Sequence, residues 1–260
     1  MYQKEFDVAL KAIKEAGEII RKGYLLGASS SYKEDGTIVT NVDKEVDTLL
    51  MVRLASAFPN YGFLTEESKD DLLRLDKEYI WIIDPIDGTV EFVNHNYEFV
   101  TNIALCKDHQ IVLSLINEPI SDTLYYAIKG EGSFILKDNK VERIRVSDRT
   151  TNLICLSSPY HMSKEEEEYI NKYKDNFKEV KLAGAAYKAC LIASGNADVS
   201  YRFGANTKEW DTAAPDLLVR EAGGVFLDKN KKPITYNKID VVNHDGFIMV
   251  NKIDNYFGEK

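Results

Sequence analysis

The residues best suited to chemistry lie in the run Trp81-Ile82-Ile83-Asp84-Pro85-Ile86-Asp87-Gly88-Thr89, where two carboxylates sit three residues apart across a proline. A hydrophobic strand delivers Asp84 at its end. Gly88 and Thr89 then open a helical stretch, whose first N–H groups lack intrahelical partners and suit an anion such as phosphate. Carboxylates at such a place suit a hard divalent cation. The run reads as a site for metal-assisted phosphate chemistry or, since Asp and Pro also favour turns, as a turn. Further acids stand at comparable places. Phe63-Leu64-Thr65-Glu66-Glu67-Ser68 is a short strand ending in paired acids, and Trp210-Asp211 opens a late helix. Asp43 follows Thr40 by three residues, where it can close a capping box or serve as a functional acid. If Glu66, Asp84, Asp87 and Asp211 converge, each close pair repels by about 4 kcal/mol at an effective dielectric near 20. Two or three Mg²⁺ would offset that repulsion.

The elements that must bring these residues together are legible in the periodicity. Phe6, Leu10, Ile13, Gly17, Ile20 and Tyr24 recur at three- and four-residue steps, which predicts an amphipathic helix over 4–24. Asp35-Gly36 marks a tight turn, and Thr40 caps a second helix carrying Val46, Leu49, Leu50 and Phe58. The charged stretch 69–78 reads as a surface loop, partly helical. After a short helix over 91–95, alternating segments at 99–105, 111–116, 123–128 and 133–136 predict an antiparallel meander packed on the two N-terminal helices. The pattern changes near residue 150. Strands at 153–157, 178–182, 197–201, 224–227 and 247–250 then alternate with helices from Ser163, over 184–193 and over 212–222. Pro215 is expected in the first turn of that last helix, where a missing N–H costs nothing. The expected architecture is an α+β, layered αβαβα sandwich. Residues 1–150 form an α+β half with most of the acids, and residues 151–260 a smaller α/β half with a second sheet.

Composition narrows the partners. A net charge of −9 lacks the basic footprint of a nucleic-acid binder, while leaving room for an anionic substrate at a local cation. Cys106, Cys155 and Cys190 are odd in number, widely spaced and set among apolar residues, so free buried thiols in a reducing compartment are expected. Lys4, Glu5 and Asp7 stand where a signal peptide would be apolar, and no apolar run approaches the roughly 20 residues that span a bilayer. A cytoplasmic protein without membrane or nucleic-acid partners is expected; oligomeric state is not encoded legibly.

Taken together, Glu66-Glu67-Ser68, Asp84-Pro85-Ile86-Asp87-Gly88-Thr89, Trp210-Asp211-Thr212-Ala213-Ala214 and Glu221-Ala222-Gly223-Gly224 occur in an order and spacing that resembles the inositol monophosphatase superfamily of Mg²⁺-dependent, lithium-sensitive phosphatases. The resemblance covers essentially the whole chain. It implies that Glu66, Asp84, Asp87, Asp211 and the Ile86 carbonyl hold the metals. It implies that Asp43 with Thr89 positions and deprotonates the attacking water, with Lys33 nearby and Asp211 also facing the substrate. Backbone N–H groups at Gly88 and Thr89 would take phosphate oxygens. Within the superfamily, the run from Tyr201-Arg202-Phe203-Gly204 to Trp210-Asp211, the segment Asn243-His244-Asp245-Gly246-Phe247 and the pair Glu91-Phe92 resemble the 3′(2′),5′-bisphosphate nucleotidases. Ser158-Pro159-Tyr160-His161 and the loop Gly184-Ala185-Ala186-Tyr187-Lys188 match that branch's nucleotide contacts, except that the loop's two serines are alanines, as in the inositol phosphatases. Ser158, His161, Gly184, Lys188 and Arg202 are thus the expected substrate contacts. His161 as a solvated loop residue and Lys188 as an exposed lysine are the plain alternatives. The implied substrate is a small phosphate ester, 3′-phosphoadenosine 5′-phosphate first and an inositol or sugar phosphate second. A non-catalytic nucleotide-binding regulator would show a damaged metal set, and every member of the set is present.

Overall fold

Apolar stripes and alternations of the kind above set five layers in the protein, a computed structural model that describes residues 2–184, 186–204 and 207–257. Helix α1 (Gln3–Leu26) buries Ala9, Ala12, Ile13, Ala16, Ile20 and Tyr24 on one face. A hairpin of β1 (Ser30–Tyr32) and β2 (Ile38–Thr40) folds at Asp35-Gly36 and leads into α2 (Asn41–Ala57). At the start of α2 the Thr40 hydroxyl accepts from the Val42 and Asp43 N–H groups, and Asp43 reaches back to the Thr40 N–H at 2.9 Å. Then follow β3 (Gly62–Thr65), a single 3₁₀ turn (Leu73–Asp76), β4 (Tyr79–Asp87) and the short α3 (Thr89–Val93). The meander is β5 (Val100–Lys107), β6 (Gln110–Glu118), β7 (Thr123–Ile128), β8 (Gly132–Lys137) and β9 (Lys140–Ile144).

These strands make one sheet in the order β3-β4-β5-β6-β7-β8-β9, with β3 parallel to β4 and each later neighbour antiparallel. The unbroken apolar run of β4 now has its reason. Trp81 and Ile83 pack under α1 and α2, whereas Ile80 and Ile82 face the opposite side, so the strand is buried on both faces.

The second half supplies β10 (Leu153–Ser157), α4 (Lys164–Lys172), β11 (Phe177–Leu182), α5 (Tyr187–Ala193), β12 (Val199–Arg202), α6 (Glu209–Glu221), β13 (Val225–Leu227) and β14 (Phe247–Val250). Its sheet runs β11-β10-β12-β14-β13. Helices α5 and α6 lie between the two sheets: Cys190, Ala213, Ala214 and Leu217 pack on the first, Ala189, Ile192 and Val219 on the second. Helix α4 covers the outer face with Ile170 and Tyr169 against Tyr201 and Phe203. The result is the αβαβα sandwich expected from the sequence. Cys106, Cys155 and Cys190 are buried and free, and among the described residues no helix is long and apolar enough to cross a membrane.

Among the differences from expectation, two helix starts and one strand bear on the fold. Helix α5 begins at Tyr187 rather than Gly184; the Ala183 and Gly184 N–H groups before it donate to Ser157 O and Glu98 Oε2, both at 2.9 Å. Helix α6 begins at Glu209, so Pro215 falls in its second turn and has no N–H to offer the Asp211 carbonyl. Strand β9 went unexpected because most of its residues, Lys140-Val141-Glu142-Arg143, are exposed at the sheet edge, where charge protects against further pairing.

Candidate active site

Strand geometry alone would separate Asp84 from Asp87, since residues three apart in a regular strand point to opposite faces. The pairing of β4 with β5 resolves this. Asp84 lies opposite Asn102 and Asp87 opposite Val100, a register shift that places one extra residue on β4 between them. Such a bulge re-aims side chains. It is pinned from β5 by the Thr101 hydroxyl, which donates to Pro85 O at 2.8 Å. Carboxylate oxygens of Asp84, Asp87 and Asp211 consequently lie within 4.8 Å of one another. Asp211 comes from the far side, at the third position of α6, where its Oδ2 accepts the Lys208 N–H at 2.6 Å. Asp43 occupies the same position of α2, so both acids also close a helix cap.

The electrostatics of this wall are unfavourable as it stands. Both oxygens of Asp84 are buried without a hydrogen-bond partner among the described residues. Burial, then Glu66, Asp87 and Asp211, hold its carboxyl well above the usual carboxylate range. Burial pushes Asp87 up to about 6 despite bonds from the Ala186 N–H and Asn102 Nδ2, and burial with Asp87 and Glu66 pushes Asp211 up to about 8. Orphaned, closely spaced oxygens are the donor set a hard divalent cation requires, so these residues fit Mg²⁺.

Around this set the Thr89 hydroxyl lies 3.2 Å from Asp43 Oδ1 and 3.1 Å from Ile86 O. Asp43 is 1% exposed, and burial raises its pKa against the lowering bonds from Thr40 and Thr89. Gly88, at φ 97°, makes the left-handed corner that turns β4 into α3 and brings Thr89 back over Ile86. Lys33 Nζ reaches Glu66 Oε1 at 2.8 Å and Glu67 Oε1 at 2.6 Å, from the start of the loop that joins β1 to β2. Burial would lower its pKa; the two glutamates leave it raised. Burial in turn pushes Glu67 up to about 7, against Lys33.

A cleft of about 710 Å³ opens on this cluster, and it is lined as well by Ser158, His161, Lys188 and Arg202. Lys188 is no exposed lysine. It is 8% exposed, donates to Ala183 O at 3.1 Å, and burial lowers its pKa to about 8 against the pull of Asp87. Arg202 donates to the His161 carbonyl, and the His161 N–H donates to Ser158 Oγ at 3.3 Å. Gly184 is placed differently from the other expected contacts. It does not line the cleft, its N–H is donated to Glu98, and a side chain there would meet Glu98 O at 2.6 Å and Glu91 Oε1 at 2.8 Å. Ala185, Ala205 and Asn206, parts of two motifs singled out in the sequence, lie outside the described residues.

Three residues at the site carried no sequence signal of their role. Asn102 holds Asp87 Oδ2 at 3.0 Å from the neighbouring strand, a pairing that only register reveals. Glu67 shares Lys33 with Glu66. Glu166, which closes the capping box with Ser163, also accepts the Phe203 N–H at 2.9 Å and pairs with Arg202.

The model of the inositol monophosphatase family matches residues 1–252. The chain belongs to that family. It is accordingly a phosphatase. It is 33% identical to the 3′(2′),5′-bisphosphate nucleotidase CysQ of Aggregatibacter actinomycetemcomitans over 92% of this chain and 90% of that one. It is also 33% identical to an inositol monophosphatase of Dictyostelium discoideum, over 85% and 83%. The crystal structure of CysQ from Bacteroides thetaiotaomicron superposes with a TM-score of 0.83 at 33% identity, covering 96% and 98% of the two chains.

Proposed function

We propose that this phosphatase removes the 3′-phosphate of 3′-phosphoadenosine 5′-phosphate, giving AMP and inorganic phosphate. The observation that carries the reading is that one cleft is lined both by the carboxylates Glu66, Asp84, Asp87 and Asp211 and by the cations Lys188 and Arg202 beside His161. A substrate with one phosphate needs only the carboxylates and their metal; a second phosphate would meet the charges of Lys188 and Arg202 in the same cleft. Relatives named as 3′(2′),5′-bisphosphate nucleotidases support it.

Glu66, Asp84, Asp87, Asp211 and the Ile86 carbonyl would hold Mg²⁺, two or three ions by family resemblance. When bound, the metal supplies positive charge that acidifies water and stabilises the leaving oxygen. The chain's own residues do the rest. The Thr89 hydroxyl accepts a proton from the attacking water and passes its own to Asp43 Oδ1, at 3.2 Å. Water oxygen forms the new bond to phosphorus as the ester P–O bond breaks in line, and the released 3′ oxygen takes up a proton from solvent water to become the hydroxyl of AMP. Burial raises the Asp43 pKa, which suits a base that must take up a proton. Gly88 and Thr89 line the cleft where phosphate oxygens would lie. We place most metal ligands in residues 1–150 and the substrate contacts Ser158, His161, Lys188 and Arg202, with Gly184 behind them, in residues 151–260. Lithium inhibition is expected on the same family grounds.

An inositol or sugar phosphate is the second reading, favoured by Ala186 where a serine would contact a nucleotide and by equal identity to an inositol monophosphatase. Initial rates of phosphate release with Mg²⁺ on the nucleotide bisphosphate and on inositol 1-phosphate decide between them. A strong preference for the inositol ester overturns the nucleotide reading.

A further inference from the structure

Four consecutive glutamates, 165–168, open helix α4, and acids in a first helical turn are ordinarily there for the helix dipole. Glu165, Glu167 and Glu168 are exposed in keeping with that role. Glu166 is 1% exposed, and a buried carboxylate persists only where its charge and lone pairs are matched. Its partners are specific. Oε1 accepts the Phe203 N–H at 2.9 Å and the Gly204 N–H at 3.3 Å; Oε2 accepts the Ser163 N–H at 3.3 Å and lies 3.7 Å from Arg202 Nη1. The same guanidinium donates to the carbonyl of His161, two residues before the Ser163 cap. One carboxylate therefore ties together the loop carrying Ser158 and His161, the start of α4, the backbone leaving β12, and the Arg202 side chain.

We propose that Glu166 is a positioning residue for substrate selection: it fixes Arg202 and the 158–161 loop as one preformed wall for a second anionic group of the substrate. The inference rests on the nucleotide bisphosphate reading and deepens it. Glu166 touches no reacting atom. It acts by holding a planar guanidinium in one orientation, which saves the ordering cost when the anion arrives. Only a carboxylate satisfies all four partners, because an amide has a single acceptor oxygen and would turn its NH₂ toward either the 203–204 N–H pair or Ser163 and Arg202. Electrostatics works in the opposite direction, since removing one negative charge beside Arg202 favours anion binding. The sign of the effect thus separates geometry from charge.

The test compares Glu166→Gln, Arg202→Ala and Ser163→Ala by steady-state kinetics on 3′-phosphoadenosine 5′-phosphate and on a monoester turned over by the same enzyme, with thermal unfolding alongside. Ser163→Ala removes only the cap hydroxyl and is expected to lower Tm while leaving both KM values within twofold. Glu166→Gln is expected to raise KM for the bisphosphate about tenfold, the range for a lost charge-assisted hydrogen bond. Its kcat and its KM for the monoester should stay within about twofold, and Arg202→Ala/Glu166→Gln should be no worse than Arg202→Ala alone. A bisphosphate KM unchanged or lowered in Glu166→Gln, with KM raised in Arg202→Ala, overturns this inference alone. An equal rise on both substrates also overturns it. Failure of the unaltered enzyme to turn over the bisphosphate, or a normal KM in Arg202→Ala, overturns the functional reading and this inference together.

Discussion

The two walls of the cleft solve the problem of buried charge in opposite ways. On the metal wall Asp84 is buried with neither oxygen hydrogen-bonded among the described residues, and Asp84, Asp87 and Asp211 crowd within 4.8 Å. On the substrate wall each cation has an internal partner: Arg202 has Glu166 and the His161 carbonyl, and Lys188 has the Ala183 carbonyl with Asp87 nearby. The first wall is left with unmatched carboxylates, a set that fits a cation. The second is complete before substrate arrives, so it contributes orientation at little ordering cost. Catalytic power and selectivity should therefore respond separately to change.

The largest expected effect is on the metal wall. Asp87→Asn should cut turnover by about 10³-fold or more on every substrate, since several kcal/mol of charge stabilisation are at stake. The fold should persist, because an amide removes a repelling charge and keeps an oxygen for Asn102 or the Ala186 N–H; phosphate release together with thermal unfolding checks both points. Retained turnover would break the metal assignment, and with it the contrast between the walls.

Next comes Arg202→Ala or Lys188→Ala. Loss of a hydrogen bond to a charged group should raise KM for the bisphosphate about 10- to 100-fold, with little change for a monoester. Equal effects on both substrates would mean that the second wall selects nothing.

Metal removal gives a third test, read in stability. Folded Asp87 and Asp211 have pKa values raised to about 6 and about 8, above the ordinary value of 3.8. Between those limits the metal-free folded state binds more protons than the unfolded state, so its stability falls as pH rises. In chelator, Tm should drop by about 5 °C between pH 6 and pH 8, and saturating Mg²⁺ should restore most of it at pH 8. A flat profile in chelator would show the carboxylates to be relieved in some other way.

The smallest effect sharpens the place of Gly184. Gly184→Ala forces a methyl against Glu98 O and Glu91, which should cost about 1–3 kcal/mol of stability as overpacking. Bisphosphate KM should move by less than in Arg202→Ala. A comparable rise would make Gly184 a direct substrate contact.

Much of this was open to reading in the chain itself. The three- and four-residue spacing in α1 and α2, and the alternation through the meander, reflect burial on one face and predict the layers. Acids at the ends of β3 and β4 and at the start of α6 were legible as candidates because element ends are where such groups are presented, and the structure brings Asp84, Asp87 and Asp211 together. Thr40 with Asp43 was a capping box by spacing alone, and the structure contains it.

What tertiary structure decided concerns contacts between segments distant in sequence. Whether Asp84 and Asp87 share a face depends on one extra residue in the β4–β5 register, and no local pattern in β4 counts the residues of its partner. Lys188 looks like any helical lysine until α5 is buried between the sheets beside Asp87. Glu166 is one of four glutamates with the same local environment, and only the return of β12 beside α4 selects it for Arg202. Sequence determined which groups exist and which elements carry them, because backbone preference and burial act locally. Their mutual distances, and hence their pKa values and partners, arise from packing between elements and exist only in the folded chain.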